Sequence, residues 1–120
     1  MPKNFTIFLD IDGCLLEHLG NATDQLLNQN PKLLPNVIEK LNIWEREGHQ
    51  IILTTGRRKS MKKKTIQDLN KLGIIYDKLI MGCNVKRVVI NDIKSLEDKT
   101  AFAFNIHRNE GLNSIDLNII

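Results

Sequence analysis

The sequence predicts a three-layer α/β domain, a mostly parallel five-stranded sheet flanked by helices, and three observations lead there. Apolar runs of strand length recur along the chain, and several stop abruptly on a polar or acidic residue. Between the first of these runs lie segments whose apolar residues recur at helical spacing, leaving the other face charged. Alternation of strand and helix is the pattern of a parallel sheet covered on both faces. No repeat, low-complexity stretch or linker interrupts it, so residues 1–120 are expected to form one domain with one core.

The first strand is the run Phe5-Thr6-Ile7-Phe8-Leu9, ending in Asp10-Ile11-Asp12-Gly13. A continuous run of this kind suits a strand buried on both faces. Residues Cys14 to Leu19 read as a flap over the strand end, followed by an irregular connection through Gly20, Asn21, Asn28 and Pro31. A helix follows Pro35, with Val37, Ile38, Leu41 and Trp44 on its inner face and Gly48 as its stop. His49, in the turn, is expected to face solvent.

Gln50 to Arg57 carries the second strand and its polar end, Thr54-Thr55-Gly56-Arg57. The basic stretch Arg57 to Lys64 opens a second helix whose inward residues are expected to be Ile66, Leu69 and Leu72. Lys78 to Met81 is a third strand, Arg87 to Asp92 a fourth and Ala101 to Ile106 a fifth. The tail beyond His107 has no assignment.

Composition narrows the function. A formal net charge of +3 and a pI near 9.0 suit an anionic substrate and fall short of a nucleic-acid footprint. No apolar run approaches membrane-spanning length, and the first strand follows Met1 too closely for a signal peptide. Cys14 and Cys83 have neither metal-site spacing nor a disulfide framework, so a cytoplasmic location is expected.

In parallel sheets, ligands bind beyond the carboxyl ends of the strands. Asp10 and Asp12 stand there, as do Thr55 with Gly56, and Asp92. Two acids at the edge of a core are costly unless a cation or hydrogen bonds compensate them. Two readings of Asp10 and Asp12 are open: ligands of a divalent cation, or a solvated turn.

The pattern Ile7 to Gly13, the run Ile51 to Arg57 and the acidic end Ile90-Asn91-Asp92 together resemble the haloacid dehalogenase superfamily of phosphohydrolases, over nearly the whole chain. The receiver fold of response regulators uses similar parts, but there the reactive acid follows a later strand. The resemblance implies a Rossmann-like phosphatase working through an aspartyl-phosphate. Asp10 would be the nucleophile and Asp12 the general acid and base. Mg2+ would be held by Asp10, the Asp12 backbone carbonyl and Asp92, and the phosphoryl group by Thr55, Gly56 and Gly13. The family's lysine is expected at Lys86, with Lys64 as second candidate. Cys83 stands where relatives often place that lysine, Asn91 where many have an acid, and Cys14 where Thr is common.

The chain has no room for the cap domain most relatives insert. Capless members act on bulky substrates or complete their site by oligomerising, so a homo-oligomer is one expectation. A softer likeness, through Leu79 to Gly82, Ile90 to Lys94 and Arg108 to Leu112, is to small bacterial proteins of capsule and sugar-phosphate metabolism. The expected substrate is therefore a sugar phosphate or related small metabolite. The alternatives are a nucleotide or nucleic-acid end, prompted by the basic stretch, and a non-catalytic module that keeps the fold.

Overall fold

Three parallel strands in the order β1-β2-β3 form the sheet that carries the strand-end residues. The structure, a computed structural model, describes residues 4–18 and 30–120. Most of the irregular connection after the flap lies outside the described residues. β1 (Thr6–Asp10) pairs with β2 (Gln50–Thr54), which sets Asp10 beside Thr54, and β2 pairs with β3 (Lys78–Ile80), which sets Thr54 beside Ile80. All three carboxyl ends therefore lie on one edge.

The helices form where the apolar spacing places them. α1 (Val37–Arg46) buries Val37, Leu41 and Trp44 against Ile51 and Leu53 of β2 in the core cluster. Glu39 in its first turn and Arg46 in its last suit the helix dipole. α2 (Lys62–Lys71), entered through a short 3-10 turn at Lys59–Met61, departs from expectation in its inner face. Thr65, Asp68 and Leu69 are buried, while Ile66 and Leu72 are only half-buried. Asp68 is drawn inward because cations meet it there.

The fourth and fifth strands do not form among the described residues: residues 87–92 and 101–106 have no ladder partner, and Val88, Ile90 and Leu96 are 82–90% exposed. The reason is connection length. A parallel crossover needs a dozen or more residues, and only Gly82 to Lys86 separate Met81 from Arg87. Residues 91–100 instead fold back on themselves, through a Ser95–Asp98 bridge and a hydrogen bond from Asn91 Nδ2 to the Thr100 carbonyl. β1 is thus an edge strand. Its burial on both faces is not realised; Phe8 is 54% exposed, whereas Ile51 to Thr54 of central β2 are all buried.

The tail gains a place. Leu112 and Ile115 join the core, and Gly111, at φ 87°, lies so tightly against Pro35 that a side chain would collide with its carbonyl. His49 is buried rather than solvent-facing: its Nδ1 accepts from Phe5 N–H at 3.0 Å and its Nε2 donates to Glu47 at 3.1 Å. A backbone donor at the start of an edge strand needs an acceptor, and the ring supplies it.

Candidate active site

The carboxyl edge of the sheet gathers Asp10, Asp12, Thr55, Gly56 and Arg57. Asp10 ends β1, and its Oδ1 accepts from the Ile11 N–H at 3.0 Å and lies 3.4 Å from Arg87 Nη2. Burial pushes its carboxyl above the usual carboxylate range; Arg87 and the Ile11 N–H pull it down, and Asp12 adds to the rise.

Asp12 is held by a fork. Arg57 Nε donates to Oδ2 and Nη2 to Oδ1, both at 2.8 Å, the bidentate geometry that a guanidinium offers a carboxylate. Arg57 is itself 7% exposed, and its Nη1 donates to Thr65 Oγ1 at 3.2 Å. Asp68 Oδ2 lies 3.9 Å from the same nitrogen and its Oδ1 accepts from Lys64 Nζ at 2.5 Å. Asp12, Arg57, Asp68 and Lys64 thus alternate in sign from the strand end into α2, each charge meeting its opposite.

The loops after β2 and β3 lock together beneath this. Thr55 N–H donates to Ile80, Cys83 N–H to Thr55 and Gly82 N–H to Arg57 carbonyls. Thr55 Oγ1 accepts from Arg57 N–H at 3.1 Å, so the hydroxyl that was expected to bind phosphoryl oxygens also shapes its own turn. Gly56 is exposed, and its N–H has no partner among the described residues. Gly13, at φ 90°, spends its N–H on Leu16 and its carbonyl on Asn109, while Arg108 Cγ packs close against it. The flap is no free lid: Leu15 and Leu16 are fully buried, and the Leu15 carbonyl accepts from Leu34 N–H.

Other expected residues stand apart. Lys86 is exposed and makes no hydrogen bond or ion pair among the described residues, while Arg87 takes the place at Asp10. Lys86 lies in a bend, and of the pair it is Arg87 that reaches the aspartates. Lys64 is committed to Asp68. Asp92 has an 82% exposed side chain, 3.8 Å from Lys94, and among the described residues no three acids, histidines or cysteines cluster as a metal site. Of the three expected Mg2+ donors, Asp10 and Asp12 stand at one strand end, and Asp92 is not brought to them.

Cys14 and Cys83 are both free. Burial, with Asp10 nearby, pushes the Cys14 thiol up to about 11, which marks a packed thiol rather than a reactive one. Clefts of about 440 and 620 Å3 lie elsewhere, one lined by Phe104, His107 and Ile115 and the other by Phe5, Leu96 and Phe102. The aspartates occupy an open edge, with no cap over them among the described residues.

With this geometry in place, comparison with known proteins decides the family. The family model of haloacid dehalogenase-like hydrolases matches residues 7–101, from β1 through the segment that carries Asp92. The chain belongs to this family. Two solved chains from Pnkp1/Rnl/Hen1 assemblies, one described as an RNA repair complex, are 26% and 28% identical, with TM-scores of 0.56 and 0.53. They align with 65% and 73% of this chain, which spans only 25% and 31% of theirs. A Vibrio cholerae protein of similar length, 19% identical with a TM-score of 0.54 over 98% of this chain and 93% of its own, shares the fold. No curated protein matches. Haloacid dehalogenase-like hydrolases generally use Mg2+.

Arg57 and Arg87 are the site residues that sequence reasoning undervalued. Arg57 is visible in the sequence as the residue after Thr55-Gly56, but there it is only the first of a basic stretch. Arg87 had no signal beyond adjacency to Lys86.

Proposed function

We propose that the chain is a Mg2+-dependent phosphatase that hydrolyses a phosphomonoester through an aspartyl-phosphate on Asp10. The observation that carries this reading is the pairing of Asp10 and Asp12 at one strand end, with Arg87 at the first and Arg57 clamping the second. Asp10 Oδ2, the oxygen without a hydrogen bond, is placed to attack phosphorus as the ester P–O bond breaks. Asp12, after one oxygen leaves the fork and takes a proton from solvent, would give that proton to the leaving oxygen and then take one from the hydrolytic water. Both Asp12 oxygens are engaged by Arg57, so proton transfer requires one to be released from the fork.

The Gly56 N–H is free among the described residues to meet a phosphoryl oxygen, and Arg87, already bonded to Asp10 and the Val85 carbonyl, would offer its remaining N–H groups. Mg2+, held by Asp10 and the Asp12 carbonyl, would offset the charge that otherwise repels an anionic nucleophile. Asp92 would join it only if residues 87–92 shifted toward β1.

Replacing Asp10 by Asn tests the reading. We expect Mg2+-dependent turnover of p-nitrophenyl phosphate to vanish while the circular dichroism spectrum is unchanged; retained turnover would remove Asp10 from the nucleophile's role. The substrate reading drawn from the sequence is a sugar phosphate or similar metabolite. A polynucleotide end is the second reading, favoured by the likeness to chains of an RNA repair complex and by the open edge. A soluble compartment is consistent with both: among the described residues no helix is long and apolar enough to cross a membrane.

A further inference from the structure

The basic stretch Arg57 to Lys64 divides in two. Arg57 and Lys64 turn inward to Asp12 and Asp68. Arg58, Lys59, Lys62 and Lys63 are exposed and have neither an acid nor a hydrogen-bond acceptor of their own among the described residues. Stability of the fold does not account for them. Lys62, Lys63 and Lys64 occupy the first turn of α2, which holds no acidic residue, and cations there oppose the helix dipole and one another. α1 follows the opposite, ordinary arrangement, with Glu39 first and Arg46 last. The two helices are of equal length and pack on the same sheet, so the inversion in α2 is local.

Position adds a second argument. The stretch begins at the carboxyl end of β2, beside Asp10, and the Lys59 side chain lies over Gly82 at the end of β3. Arg87 stands at Asp10 itself, and the exposed Arg108 packs against Gly13, the residue after Asp12. Exposed cations from three segments therefore border the aspartates along an edge that no described residue caps. A small phosphate ester at Asp10 would reach only the nearest of them. An extended chain of phosphates would meet them all and reverse the cost at the start of α2.

We propose that Arg58, Lys59, Lys62 and Lys63 form a docking ridge for the phosphodiester backbone of a single-stranded nucleic acid whose terminal phosphate is presented to Asp10. This rests on the phosphatase reading and names its substrate class. No aromatic side chain stands among the four cations, so the ridge grips backbone and is indifferent to base sequence.

The test uses the full chain, a 3′- or 5′-phosphorylated oligonucleotide and p-nitrophenyl phosphate. The variant combines Lys59→Ala, Lys62→Ala and Lys63→Ala, all exposed positions whose loss should leave the melting temperature unchanged or higher. Expected is at least a tenfold loss of kcat/KM on the oligonucleotide at low salt, with hydrolysis of p-nitrophenyl phosphate unaltered. The slope of log affinity against log salt should fall by about 2, as for three lost single-strand phosphate contacts. Equal losses on both substrates, or none on the oligonucleotide, would overturn the ridge. So would competition by polyglutamate or anionic vesicles as effective as that by unphosphorylated oligonucleotide. The Asp10→Asn variant separates the two claims: oligonucleotide binding that persists without turnover supports the ridge, whereas binding and its salt slope in a chain that hydrolyses nothing would sink the phosphatase reading alone.

Discussion

Gln50–Thr54 and Arg87–Asp92 are nearly the same kind of sequence, a β-branched apolar run bounded by polar residues, and they have opposite fates. The first is the central strand, with Ile51 and Leu53 at 1% exposure or less; the second is open to solvent, with Ile90 at 90%. Local composition does not separate them. What does is the chain between each run and its neighbour. β1 and β2 are joined through α1, and β2 and β3 through α2, each connection long enough to return parallel. Five residues follow Met81 before Arg87, and no helix fits among them. Strand character is thus written in the run, but strand pairing is written in the connection.

If this contrast holds, its sharpest expression is at Arg57, where the ordered half meets the site. Arg57→Ala leaves Asp12 and Asp68 facing each other across the vacated space. A destabilisation of about 3–5 kcal/mol by urea unfolding is expected, as for a buried ion pair that loses one partner. Arg57→Lys keeps the charge and loses the fork; stability should partly return while phosphatase turnover stays low, because Asp12 is no longer held by two bonds. Full activity in the lysine variant would show that the fork does not position Asp12.

Next in size is Leu53→Ala. Leu53 is fully buried between both neighbouring strands and the helices, and its truncation should cost about 2–5 kcal/mol. A much smaller loss would mean that β2 is not the centre of the core.

Much of this was legible without coordinates. The bounds of α1 followed from its apolar stripe and Gly48, and the three strands of the sheet from their runs. The Asp10 and Asp12 pair stood out because the sequence places acids directly after apolar residues. Other features rested on partners far along the chain. Asp68 is inward because Arg57 and Lys64 are there, which no helical periodicity reports. His49 is buried because Phe5 N–H needs an acceptor. Leu112 and Ile115 enter the core because Gly111 lets the tail pass against Pro35. Lys86 and Arg87 were indistinguishable by type, and only the path of the loop after β3 chose between them.

The smallest effect is expected at Ile90, and it tests the contrast most directly. With its side chain in water in the folded chain as in the unfolded one, Ile90→Ser removes no buried area, and stability should stay within about 0.5 kcal/mol of the parent by urea unfolding. The same substitution at Ile51, in a run of the same character, should cost several times more. Hydrogen exchange gives an independent reading: the amides of 88–90 have no acceptor among the described residues and should exchange at the rate of open loops, while those of 51–54 should be among the slowest. Were Ile90→Ser to cost as much as a core truncation, with its neighbours protected, the run would have to be packed as a strand. Paired at the free edge of β1, one of the two open edges of the sheet, it would carry Asp92 toward the Asp10 end. Loss of stability at Ile90 would therefore argue for the third metal donor as well as against the contrast.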